Sequence, residues 1–114
     1  MKPTREWSGS VEDVSLQKQA PARGVITDGN TFAKLWRAWQ LGDQAPAVDF
    51  DKELVFVATT SGSRLRITPR LTEGGDLKVL ALATRDFRPG FRYQVVVLPR
   101  AGVKTVNGQQ LPTG

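Results

Sequence analysis

The sequence predicts an α+β fold in which one α-helix packs on an antiparallel β-sheet, a meander of about five strands. Three observations carry that expectation. Apolar residues recur with helical period over residues 31–41, the period changes to 2 after Gly42, and turn chemistry returns at regular intervals through the second half of the chain. At 114 residues there is room for one domain and one core.

Residues 1–24 are polar, contain Pro3 and Pro21, and show brief alternation around Val11, Val14 and Leu16. They read as an extended N-terminal arm carrying at most one strand, ahead of a single α+β domain over 25–114. Val25-Ile26-Thr27 reads as a short strand that ends at Asp28-Gly29-Asn30, where Asp28 or Asn30 can cap a helix by accepting from its first free N–H groups. The helix is expected from Thr31 to Leu41. Phe32, Leu35, Trp36 and Trp39 form its apolar face, Lys34, Arg37 and Gln40 lie opposite, and Gly42 is the expected stop. Trp36 and Trp39 have the chemistry to stack on bases, but their helical spacing assigns them to the core.

Turns at Ser61-Gly62-Ser63, Glu73-Gly74-Gly75-Asp76 and Arg88-Pro89-Gly90 separate four strands, Glu53 to Thr60, Arg64 to Leu71, Leu77 to Thr84 and Phe91 to Leu98. Arg100-Ala101-Gly102 and Asn107-Gly108 are further turns, with Val103 and Val106 in a last short pairing. Folding the second hairpin about 73–76 sets Leu71 by Leu77, Pro69 by Val79, Ile67 by Ala81 and Leu65 by Ala83, an apolar face that Val55, Val57, Tyr93, Val95 and Val97 extend beneath the helix. The opposite face gathers Arg64, Arg66, Arg70, Lys78, Arg92 and Gln94 around Leu54, Phe56, Leu80, Leu82, Val96 and Leu98. Phe56, Thr68, Leu80 and Val96 are expected there as one row. An apolar band of that size needs cover. Either a terminal segment folds over it, or a protein partner or a second copy of the chain docks on it, with Phe56, Leu80, Leu82 and Val96 as anchors and Arg64, Arg66 and Arg92 as rim.

The composition closes several chemistries. With no histidine and no cysteine there is no Ser-His-Asp or Cys-His nucleophile pair, no zinc finger and no disulfide. The strongest acidic cluster is Asp49, Asp51 and Glu53, directly ahead of the apolar run from Leu54 to Ala58. It lacks the calcium-loop pattern, and its turn setting suits carboxylates that bond local N–H groups while Phe50 plugs the core; Glu53 is a candidate partner for a sheet arginine. No catalytic residue, metal ligand or cofactor is therefore expected, and the chain is read as non-enzymatic. The net charge of +5 admits an acidic partner. Nucleic acid is the alternative partner, weakened because Phe91 and Tyr93 fall on the core face rather than among the arginines. The apolar stretches are too short to span a membrane, and the opening MKPTREWSGS lacks the apolar region of a secretory leader.

Thr31-Phe32-Ala33-Lys34-Leu35-Trp36, then Pro46-Ala47-Val48-Asp49-Phe50-Asp51-Lys52-Glu53-Leu54-Val55, then Tyr93-Gln94-Val95-Val96-Val97-Leu98-Pro99-Arg100, resemble the C-terminal domain family of PrcB, the protease stability complex component, and related bacterial exported proteins. The resemblance covers residues 25–103. Where the family carries Gly-Tyr before the second sheet strand, this chain has Gly62-Ser63-Arg64-Leu65. The resemblance implies a non-catalytic module, exported or held at the cell envelope once a leader is removed and otherwise cytoplasmic, that stabilises or regulates a partner such as a protease.

Overall fold

The computed structural model describes residues 3–21, 24–42 and 44–111. The first two residues of the arm, its junction at 22–23, residue 43 and the last three residues of the tail lie outside that description. The elements in chain order are β1 (Arg5–Val11), a 3-10 helix (Val14–Gln19), β2 (Val25–Ile26), α1 (Gly29–Ala38), β3 (Glu53–Thr60), β4 (Leu65–Leu71), β5 (Asp76–Ala83), β6 (Phe91–Pro99), β7 (Thr105–Val106) and β8 (Gln109–Gln110). The four long strands begin and end within a residue of their expected limits, and the strand of the arm is β1.

The single meander does not form. The strands divide into two four-stranded sheets, β1-β6-β3-β2 and β4-β5-β7-β8, so β3 pairs with β6 rather than with β4. The expected partners within the β4–β5 hairpin are nonetheless correct, with Leu71 opposite Leu77 and Thr68 opposite Leu80, whereas Phe56 faces Val96 instead of the Thr68 that a meander would set beside it. The expected row fails because these two pairs belong to different sheets. The corner after β3 explains the split. Gly62 donates its N–H to Thr60 Oγ1 at 3.0 Å. It also lies so close to the end of β5 that a Cβ there would sit 2.3 Å from the Thr84 carbonyl oxygen. Only a glycine lets the chain turn this tightly and leave the plane of the first sheet.

The result is three layers. One face of the first sheet, with Val55, Val57, Phe91, Val95 and Val97, packs against Phe32, Leu35, Trp36 and Trp39 of α1. Its other face, with Leu54, Phe56, Val96 and Leu98, packs against Ile67, Leu77, Val79 and Val106 of the second sheet. The apolar side of the β4–β5 hairpin therefore lies across the first sheet from the helix, not beneath it. That hairpin supplies most of the cover the apolar band needs, and the tail completes it with Val103, Val106 and Leu111. The arm stays at the edge, where Trp7 packs edge-on to Trp36 on the helix side.

Asp28 caps α1 as expected, accepting from Thr31 N at 2.9 Å and Thr31 Oγ1 at 2.7 Å. The helix stops earlier than Gly42 suggests. Leu41 N donates to Trp36 O and Gln40 N to Arg37 O, both at 3.1 Å, the paired bonds of a Schellman ending. Gln40 holds the left-handed position at φ 54°. Trp39 Nε1 then donates to Leu16 O at 2.8 Å and ties the 3-10 helix to the helix end.

Candidate docking face on the outer hairpin

The seven residues expected to bind a partner fall into three groups. Phe56 and Val96 are buried in the core between the sheets. Arg92 is half-buried, with Nη2 within 3.4 Å of the carbonyls of Ser61, Arg88 and Pro89 and its Nε buried without a hydrogen-bond partner. It clips the loop between β5 and β6. Gln94, also expected on the outer surface, points between the sheets and accepts from Ile67 N at 2.8 Å. Four residues remain together. Leu80 and Leu82 are 57% and 53% exposed, and Arg64 and Arg66 are exposed beside them on the outer face of the hairpin.

Register fixes the pattern of that face. Arg66 stands opposite Leu82, Thr68 opposite Leu80, and Arg70 opposite Lys78. Two cations directly across a pair of strands disfavour each other, and none of Arg64, Arg66, Arg70 and Lys78 meets a carboxylate in an ion pair among the described residues. The acids at the two ends of the hairpin are already engaged: Asp76 accepts from Thr105 Oγ1 at 2.8 Å and Gly108 N at 2.9 Å, and Asp86 accepts from Ser63 N at 3.0 Å and Thr84 Oγ1 at 2.5 Å. Those bonds hold both carboxyls below the ordinary 3.8, with the Lys78 charge adding to the effect at Asp76. The face is apolar at its centre, with four cations around it and the hydrogen-bonded carboxylates of Asp76 and Asp86 at its two ends.

Its two long edges differ. On β4, Ile67 turns its N–H away from β5 to Gln94, and Pro69, two residues on, has no N–H to present at the same edge. That edge is blunted. On β5, Thr72 N bonds Asp76 O and Thr84 N bonds Arg64 O, so even-numbered residues bond β4 and odd-numbered ones point the other way. β7 pairs only as far as Leu77. Asn107 then substitutes for one more strand residue: its side chain accepts from Val79 N at 2.8 Å and donates to Val79 O at 3.3 Å. Asn107 and Gly108 both have positive φ and turn the chain away into β8. Among the described residues nothing meets the outward N–H and C=O groups of Ala81 and Ala83.

Two concavities flank the leucines. One of about 600 Å³ lies at the notch where β7 ends, lined by Arg70, Lys78, Val79, Leu80 and Asn107 among others. The other, of about 760 Å³, opens between the β1 end of the first sheet and the far end of the hairpin, with Ser8, Ser10, Arg64, Arg66, Leu82 and Arg92 in its walls. A third on the helix side, of about 490 Å³, carries no basic cluster.

The acidic stretch behaves as turn chemistry. Asp51 N donates to Asp49 Oδ1 at 3.1 Å, Phe50 packs edge-on to Phe32, and Glu53 accepts from Thr4 Oγ1 at 2.9 Å rather than from a sheet arginine. No group of three or more potential metal-ligating side chains occurs among the described residues. The carboxylates that the fold perturbs, Asp13, Asp28, Asp76 and Asp86, are all lowered by hydrogen bonds they accept, from Ser15, Thr31, Gly108 and Thr84 foremost. No family model, curated protein or solved structure matches the chain. No described helix is long and apolar enough to cross a membrane. Periodicity reasoning missed two features here. Phe87 is 82% exposed in the loop that follows β5, where turn residues drew attention away from the ring. The strand-like role of Asn107 was hidden because Asn-Gly announces a turn and not what the amide does.

Proposed function

We propose that the chain is a non-catalytic protein-interaction module that docks an acidic protein through the outer face of the hairpin. Leu80 and Leu82 are its anchors, and Arg64, Arg66, Arg70 and Lys78 its rim. The observation that carries this reading is the pair of half-exposed leucines at the centre of a face whose cations are in no ion pair among the described residues, while the other leucine, isoleucine and valine side chains of the same strands are buried or half-buried. The perturbed carboxylates are all held ionised, which suits structure rather than proton transfer at neutral pH. The resemblance of residues 25–103 to the PrcB C-terminal domain family points to the same kind of role, stabilising or regulating a partner such as a protease, at the cell envelope if the family's export applies.

The test is affinity capture from the source cell with the wild type, Leu80→Asp and Arg66→Glu, each first shown to melt at the same temperature. A protein retained by the wild type and lost by both variants supports the reading; equal retention by all three contradicts it. Nucleic acid is the second reading, favoured by the same cations. Recovery of nucleic acid alone, with binding that falls steeply with salt and has a defined site size, would establish it instead.

A further inference from the structure

We infer that the occupant of this face is an extended acidic segment of the partner, added as a strand to the open edge of β5 beside Ala81 and Ala83; this rests on the docking reading and specifies its mode. The second sheet protects one edge and leaves the other open. Pro69 and the Gln94 side chain close the β4 edge, whereas β5 keeps strand geometry through Ala83 with no neighbour after Asn107 among the described residues. The outward groups of Ala81 and Ala83 amount to two N–H donors and two C=O acceptors at strand spacing, the pattern an added strand uses. An exposed apolar edge of this kind is a liability unless something pairs with it.

Side-chain chemistry then selects the segment. An added strand places alternate side chains on the outer face, beside Leu80 and Leu82 at its middle. Toward one end it passes Lys78 and the 600 Å³ notch, and toward the other it comes within reach of Arg64 and Arg66. Apolar residues at the two central positions and carboxylates at both ends are complementary to that order. A second copy of the chain fits less well. Pairing two β5 edges about Ala81 would set Leu80 against Leu82, but it would also join two faces that each carry Arg64, Arg66, Arg70 and Lys78.

The probe is a fluorescent seven-residue peptide with glutamate at both ends, valine at its third and fifth positions and threonine between, titrated onto the full chain by anisotropy. Two further peptides carry N-methyl groups on alternate residues in opposite frames. Strand addition requires one frame to bind at least about tenfold more weakly while the other binds as the parent does. Ala81→Pro should weaken the parent peptide to a similar extent, since it deletes an N–H that the bond to β4 does not use; should that variant not fold, the N-methyl frames on the wild type carry the test. Equal binding by both frames, with loss on Leu80→Asp, overturns strand addition and leaves the docking face standing. Parent binding that Leu80→Asp does not change overturns both. Absence of parent binding at millimolar peptide, or a dimer of the chain alone that Ala81→Pro dissociates, overturns the acidic segment as occupant, the latter in favour of a second copy.

Discussion

Leu80 and Phe56 show how far alternation carries at the scale of a residue. Both are large and apolar, both point away from the helix, and the sequence places both on one surface. In the fold one is 57% exposed and the other 6%. Removing Phe56 leaves a cavity between the sheets, so Phe56→Ala is expected to cost about 3–5 kcal/mol, whereas Leu80→Ala should stay within about 0.5 kcal/mol of the wild type. Urea unfolding of the two variants checks the contrast. What alternation could not supply is the layer, because the face of a strand says nothing about which sheet the strand joins. Gln40 makes a second residue-scale case. Gly42 drew attention as the helix stop, but the left-handed position fell two residues earlier on a glutamine. Gln40→Gly removes that backbone penalty and should raise stability by up to about 1 kcal/mol, read from the same unfolding midpoint.

Among elements, the β4–β5 hairpin was the most legible. Its turn at 73–76 and its full register follow from glycine chemistry and from pairing apolar with apolar. The β7–β8 turn was legible as Asn-Gly, yet its consequence for β5 was not, since it depends on where the Asn107 amide lands in three dimensions. Asn107→Ala leaves the part-buried Val79 N–H and C=O without their partner and puts a residue with a Cβ but no local acceptor at φ 49°. A loss of about 1–3 kcal/mol is expected. Hydrogen exchange at Val79 should speed up in that variant well beyond the change at Ile67. The element ends also set the acid response. Asp13 and Asp28 cap helices and Asp76 and Asp86 brace turns, and all four titrate below their ordinary 3.8 in the folded chain. Above that value both folded and unfolded forms are ionised and the stabilisation is complete. It is lost as pH falls below 3.8 through the folded values, because the unfolded chain takes up protons first. Urea midpoints should therefore be flat from pH 7 to 5 and fall toward pH 3, with a shallower fall in Asp28→Asn.

For the whole molecule, the sequence did contain a sign of the third layer. Leu54 to Val57 and Val95 to Leu98 are runs in which successive residues are all apolar, and all eight are buried. A strand with both faces apolar belongs in the middle of a sandwich, and two such strands belong beside each other. Setting consecutive strands side by side, the common arrangement, gives a single meander instead, and the glycine corner at 62 breaks it. Once β3 and β6 occupy the middle, the hairpin must cover them with its apolar side, and its arginines and two leucines are left facing out. Docking through this face requires those leucines to be spare to the fold. Urea unfolding of Leu80→Thr/Leu82→Thr tests it most directly, threonine being chosen because it keeps strand propensity while removing the apolar surface. A free energy of unfolding within about 1 kcal/mol of the wild type with an unchanged slope is the predicted result, and a loss of about 3 kcal/mol or more would contradict it by showing that the face is part of the core.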